Sequence, residues 1–236
     1  MKKTINVSSQ GATLDTSRRN FLKLGGIGLA MAGLTLIGCD DDTDFGMMGD
    51  KVFDLGTGDV GVLNYAYALE QLEADFYTKV VNNFYSGISS MEKEIFTDLY
   101  HHEVIHRDFF KAAISGATSN VLPTLQFQYS NVNFNDRNSV LATAKALEDT
   151  GVAAYNGAGK YITNPAYLVI AGKIVSVEAR HASAIRNIIN PGSADFSGDD
   201  VIDSNGLDLA KEPKDIVMAA GGFIKTPFTW KERGIS

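Results

Sequence analysis

The stretch Phe96-Thr97-Asp98-Leu99-Tyr100-His101-His102-Glu103-Val104-Ile105-His106-Arg107-Asp108-Phe109-Phe110 combines two signals. Phe96, Leu99, Glu103, His106 and Phe110, continued by Ala113, recur every three or four residues, the period of one face of an amphipathic helix. The face is apolar except at its middle, where a carboxylate and an imidazole interrupt it. Three other segments carry the same interrupted stripe. One reads Leu63, Tyr67, Glu70, Ala74, Tyr77, Val81, Phe84; another reads Leu141, Ala144, Glu148, Val152, Tyr155. The last reads Tyr167, Ala171, Ile174, Glu178, His181, Ile185, Ile188. An unpaired carboxylate in an apolar core costs several kcal/mol, so the four must be compensated together.

Boundary signals give the stripes a frame. Asp59 is a candidate N-cap for a helix to about Phe84, and Ser89 with Glu92 fits a capping box for a second helix to about Ile114. Asp136 caps a third, to about Tyr161, and Asn164 followed by Pro165 opens a fourth, which Pro191 closes. Helices of about 25 residues are rods of roughly 37 Å, the proportions of a four-helix bundle. Short turns around Ser86-Gly87 and Thr163-Asn164 predict two antiparallel hairpins. The longer link, Ala117 to Asn135, can run the height of a bundle at about 3.3 Å per residue. The midpoint of positions 70 and 103 falls on Ser86-Gly87, and that of 148 and 178 on Thr163, so all four carboxylates are expected in one layer.

Glu103 with His106, and Glu178 with His181, are spaced i to i+3 and project from one face of their helices. Four carboxylates balance two divalent cations, and two neutral imidazoles complete a ligand set. This constellation resembles the ferritin-like di-iron and di-manganese carboxylate proteins. The resemblance implies an all-α, ferritin-like four-helix bundle over residues 59–190, with one long crossover between helices two and three. The run Leu63-Asn64-Tyr65-Ala66-Tyr67-Ala68-Leu69-Glu70-Gln71-Leu72-Glu73-Ala74-Asp75-Phe76-Tyr77 is similar to a group of bacterial ferritin-like domain proteins akin to plant desiccation-related proteins. It implies two divalent metal ions, iron in preference to manganese, on Glu70, Glu103, His106, Glu148, Glu178 and His181. An internal repeat, Glu70 followed seven residues later by Tyr77 and Glu148 by Tyr155, favours Glu70 over the neighbouring Glu73, whose counterpart is Gly151. Tyr77 and Tyr155 are either plain core aromatics or, by the resemblance, hydrogen-bond donors to ligating carboxylates. His101 and His102 fall off the stripe or at its edge and read as solvated.

The resemblance implies redox chemistry with dioxygen, peroxide or Fe(II), as a ferroxidase, peroxidase or catalase-like enzyme. The alternative is a non-enzymatic, metal-stabilised scaffold of an envelope stress response. The chain holds one cysteine, so a rubredoxin-like cysteine module for internal electron delivery is excluded.

That cysteine, Cys39, belongs to a different signal. Ser17-Arg18-Arg19-Asn20-Phe21-Leu22-Lys23 resembles a twin-arginine export motif, and the apolar run Leu24 to Gly38 behind it is too short to span a bilayer. Leu36-Ile37-Gly38-Cys39 resembles a lipobox, which implies cleavage of 1–38 and a lipid on Cys39. Residues 39–58 then form an acidic tether, and Asp40-Asp41-Asp42-Thr43-Asp44 resembles a surface-export signal of some bacterial lipoproteins. Residues 39–236 carry 16 basic and 27 acidic side chains, a formal charge of −11 that repels nucleic acid and anionic headgroups. Membrane attachment is therefore expected through the lipid, facing the periplasm or cell surface. Val201 to Glu212 has calcium-loop spacing at Asp203, Asn205, Gly206 and Glu212, but Val201 at its first position cannot coordinate, which excludes an EF-hand. The remainder, 191–236, with a short helix around Pro213 to Ala220 and Trp230, is expected to cap the bundle.

Overall fold

The computed structural model describes residues 52–236, so the export motif, Cys39 and most of the tether lie outside the described residues. Four long helices dominate: α1 (Gly58–Asn82), α2 (Ser90–Ala117), α3 (Arg137–Gly159) and α4 (Pro165–Ile189). Their starts follow from side-chain caps. Ser89 and Glu92 form the reciprocal capping box, with Glu92 N–H donating to Ser89 Oγ at 3.1 Å and Ser89 N–H to Glu92 Oε2 at 3.0 Å. Asp136 accepts from Ser139 N–H at 2.7 Å, and Asn164 accepts from Ala166 N–H at 2.9 Å ahead of Pro165. The start of α1 differs from expectation. Thr57 is its N-cap, without a side-chain cap bond, and Asp59 lies inside the first turn. The Asp59 carboxylate instead accepts from Thr163 N–H (2.7 Å), Thr163 Oγ1 (3.0 Å) and Asn164 N–H (3.0 Å), pinning α1 to the α3–α4 turn.

α1 packs along α2 and α3 along α4 as two hairpins, which meet through α1 against α3 and α2 against α4. The crossover, residues 118–136, climbs α1 on two buried amides. Asn64 donates through Nδ2 to Asn120 O (2.8 Å) and accepts at Oδ1 from Leu122 N–H (2.9 Å). Two turns on, Gln71 accepts from Leu125 N–H (2.9 Å) and donates to Pro123 O (3.3 Å). These side chains replace the ladder partners that an extended segment otherwise lacks, so the crossover can pack its apolar residues inward with its backbone satisfied. Higher up, Tyr129 and Phe134 close on Phe76.

The C-terminal extension covers the same side. A short helix, α5 (Pro213–Ala220), packs on α3. Phe127 of the crossover bridges Ile224, and β1 (Phe53–Asp54) pairs in parallel with β2 (Phe228–Thr229), the small sheet in an otherwise helical fold. Residues 53–55, read from sequence as tether, are thus part of the packed structure: Leu55 is fully buried and its N–H donates to Thr229 O at 2.8 Å. Trp230 is buried against Tyr65. Arg186 of α4, buried, pairs with Asp149 of α3 (2.6 and 3.0 Å) and Asp200 of the extension (3.0 Å), tying three segments together. In the rejected calcium loop, Asp203 Oδ1 accepts from Asn205 N–H and Leu207 N–H, and Glu212 turns away to Lys160 and Tyr161.

Candidate metal centre

The middle layer of the bundle collects Glu70 from α1, Glu103 and His106 from α2, Glu148 from α3, and Glu178 and His181 from α4. All four carboxylates are completely buried, and the imidazoles nearly so. Their atoms form two overlapping groups that could each hold a metal ion. One comprises Glu70, Glu103, His106 and Glu178; the other Glu103, Glu148, Glu178 and His181. Glu103 and Glu178 belong to both and split their oxygens between them. His106 Nδ1 lies 3.4 Å from Glu103 Oε2 and 3.0 Å from Glu178 Oε1, whereas His181 Nδ1 lies 2.8 Å from Glu103 Oε1 and 3.6 Å from Glu178 Oε2. Glu70 and Glu148 each face one group only, at 3.4 Å from His106 Nδ1 and 3.5 Å from His181 Nδ1 respectively.

Short as these separations are, Glu70 Oε2, both oxygens of Glu103 and Glu178, Glu148 Oε2 and both Nδ1 atoms make no hydrogen bond. Buried polar atoms without hydrogen-bond partners are rare and costly, and here they crowd together within the two groups. The other oxygens of the two outer carboxylates are satisfied across the repeat: Tyr77 OH donates to Glu148 Oε1, and Tyr155 OH to Glu70 Oε1. The tyrosines are therefore more than core filler, since each leaves one oxygen of its carboxylate free to face the centre.

The electrostatics express the same crowding. Burial, then the charge of Glu178, push the Glu103 carboxyl up to about 8. Burial also raises Glu148, against the pull of His181. For Glu178 burial acts upward too, but the facing imidazoles of His106 and His181 outweigh it and hold the group at about 2. Burial opposes charge on both imidazoles, yet the surrounding carboxylates, led by Glu70 for His106 and Glu148 for His181, raise them above the usual histidine range. Without metal the layer retains protons; two cations would replace them.

Two nearby residues complete the picture. Glu73, one turn from Glu70, joins neither group, and its Oε1 lies 3.0 Å from where a Cβ on Gly151 would stand. The repeat is broken at Gly151 because Glu73 occupies that space. Burial, then the charges of Glu178, Glu103, Glu148 and Glu70, raise the Glu73 carboxyl well above its ordinary value. It borders a cavity of about 120 Å³ between α1, α3 and α5, lined also by Leu72, Thr150 and Phe223. His102, expected to be a solvated edge residue, places its Nδ1 2.9 Å from His181 Nε2. Sequence periodicity missed this contact because His102 does lie on the exposed side of α2 and meets a partner in the other hairpin. His101 makes no comparable contact with the centre.

No curated protein matches this sequence. The ferritin-like domain model matches residues 58–191, the span from the first turn of α1 to the end of α4. With more than half of its length covered by that match, the chain belongs to the ferritin-like domain family.

Proposed function

We propose that this is an exported, membrane-tethered di-metal carboxylate protein that activates dioxygen or peroxide or oxidises Fe(II). The observation that carries the reading is the set of eight buried, unpartnered oxygen and nitrogen atoms from Glu70, Glu103, His106, Glu148, Glu178 and His181. Their donor chemistry fits two divalent cations, with Glu103 and Glu178 shared and Glu70 with His106, or Glu148 with His181, completing each position. Oxygen and imidazole donors without thiolate suit iron or manganese, iron preferred. A bound pair of such ions supplies one- and two-electron chemistry toward dioxygen, peroxide or Fe(II). The protein's own part is to hold the carboxylates in a fully buried layer, to fix Glu70 and Glu148 through Tyr155 and Tyr77, and to balance charge.

Metal analysis of the full chain, expressed with iron and manganese available, tests the site. Wild type is expected to hold close to two metals. Glu103→Ala and Glu178→Ala each lose metal, because each removes a donor from both groups, whereas Glu73→Ala retains it. Wild type with well under one metal per chain, and no change in melting temperature on chelation, would overturn the reading. A metal-stabilised scaffold uses the same residues and is favoured by the complete burial of the four carboxylates. Oxygen and peroxide consumption by metal-loaded protein separates the two readings. Location rests on Ser17 to Lys23 and on Cys39. Cys39→Ser is expected to move the protein from the membrane fraction to the soluble one, and retention on salt-washed membranes contradicts the lipid anchor.

A further inference from the structure

We infer that His102 is a positioning residue for His181 and that it makes the two metal positions unequal. The inference rests on the metal reading of the centre and adds to it a residue and a binding order.

The contact has the geometry of a hydrogen bond in the plane of both rings. The imidazoles of His102 and His181 lie within 8° of coplanar, with centroids 5.1 Å apart and Nδ1 to Nε2 at 2.9 Å. The centroid separation is close to the N···N distance plus the two ring radii, so the rings meet edge to edge and do not stack. His181 turns Nδ1 toward Glu103, Glu148 and Glu178. A nitrogen that offers its lone pair to a cation carries no proton, so the proton of neutral His181 sits on Nε2, and Nε2–H donates to His102 Nδ1. The contact fixes both the tautomer and the ring angle of His181, as a carboxylate or carbonyl does behind many metal-bound histidines.

Among the described residues the other half has no such device. The offset that relates Glu103 to Glu178 and His106 to His181 places Val177 where His102 stands. Among the described residues no side chain hydrogen-bonds His106 Nε2. His106 must therefore lose ring freedom when it engages a cation, whereas His181 is already oriented. The group of Glu103, Glu148, Glu178 and His181 should fill first.

Cobalt(II) titration of apo full-length protein, followed by visible absorption and calorimetry, reads this without turnover. Wild type is expected to bind two ions in resolved steps. His102→Ala weakens one step roughly 10- to 100-fold and leaves the other within about two-fold. The weakened step is the one whose absorption band disappears in His181→Ala. His102→Asn, whose Oδ1 stands where Nδ1 does, restores the step. The apo melting temperature changes little, because His102 is exposed and water can take its place at His181 Nε2, whereas a merely structural contact would lower it without weakening one binding step alone. Equal weakening of both steps, no weakening, or no rescue by Asn overturns the assignment while two-ion binding by wild type leaves the metal reading standing. Wild type that binds no cobalt overturns both.

Discussion

The two hairpins of the bundle are built on one plan and differ at few functional positions. Glu70 and Tyr77 in α1 correspond to Glu148 and Tyr155 in α3; Glu103 and His106 in α2 correspond to Glu178 and His181 in α4. The shared positions converge on the centre, and each tyrosine serves the carboxylate of the opposite half. The unlike positions surround it. Glu73 faces Gly151, which lacks the side chain that would collide with it, and His102 has Val177 as its counterpart. Like residues thus build a two-fold site, and unlike ones distinguish its halves. Even the like pair Glu103 and Glu178 cannot behave alike in the absence of metal. Burial and the charge of Glu178 push Glu103 up to about 8, while the imidazoles of His106 and His181 outweigh burial at Glu178 and lower it to about 2.

The largest expected effect follows from that imbalance. Glu103 and Glu73 have raised pKa values through burial and neighbouring carboxylates, and His106 and His181 are raised by the same carboxylates against burial. A group whose folded pKa lies above its unfolded one contributes stability fully below the unfolded pKa and loses it as pH rises through the folded pKa. For Glu103 that window runs from 4.5 to about 8. Glu178, lowered to about 2, has its contribution fully in place above 4.5 and does not alter the trend near neutrality. Apo protein is therefore expected to lose about 5 °C or more in melting temperature between pH 6 and pH 8.5. Metal-loaded protein should hold level or gain, because cations take the place of the retained protons. Calorimetric scans of both forms check this, and an apo melting temperature that is flat across the window would remove the buried charge imbalance.

A smaller effect sharpens the symmetry. Tyr77→Phe and Tyr155→Phe each delete a buried hydrogen bond to a carboxylate, worth about 2 kcal/mol. If the halves are equivalent at this level, the two variants fall by the same amount in urea unfolding of the apo protein. In the double variant the losses should depart from simple addition by about 0.5 kcal/mol or more, since Glu148 and Glu70, which accept the two bonds, lie in one layer and both border Glu103 and Glu178. A loss confined to Tyr77→Phe or to Tyr155→Phe would show that the repeat in sequence is not a repeat in energetics.

Much of this arrangement is legible in the sequence because its signals are local. Ser89 with Glu92, Asp136, and Asn164 with Pro165 each satisfy backbone donors within three residues, so their helix starts can be read from a short window. The six central residues stand out because polar groups interrupt stripes that are otherwise apolar. What was not legible depends on partners distant in sequence. Asn64 and Gln71 resemble ordinary helix polars until the crossover backbone is placed beside them. His102 belongs to the exposed side of α2 by period, and its partner lies 79 residues away on α4. The sharing of Glu103 and Glu178 between two groups likewise requires the relative depth of the helices, which spacing along a single helix does not contain.

The smallest effect compares the first aspartates of the two halves. Asp136 caps α3 locally, through one bond to Ser139 N–H, whereas Asp59 leaves its own helix uncapped and accepts three bonds from the turn between α3 and α4. Both are at the surface, so each bond exchanges with water and their values are modest. Asp136→Ala should cost about 1 kcal/mol, the ordinary value of a lost N-cap, and should act within its own hairpin. Asp59→Ala should cost about the same in total stability but act between hairpins, because it frees Thr163 and Asn164 from α1. Native-state hydrogen exchange separates these outcomes. With Asp136→Ala, faster exchange is confined to the first turn of α3; with Asp59→Ala, it appears at the amides of Thr163 and Asn164 and in the first turn of α4. If Asp59→Ala instead frays only α1, then Asp59 acts as a local helix-start residue after all, and the two hairpins are held together by the core and the C-terminal extension without this contact.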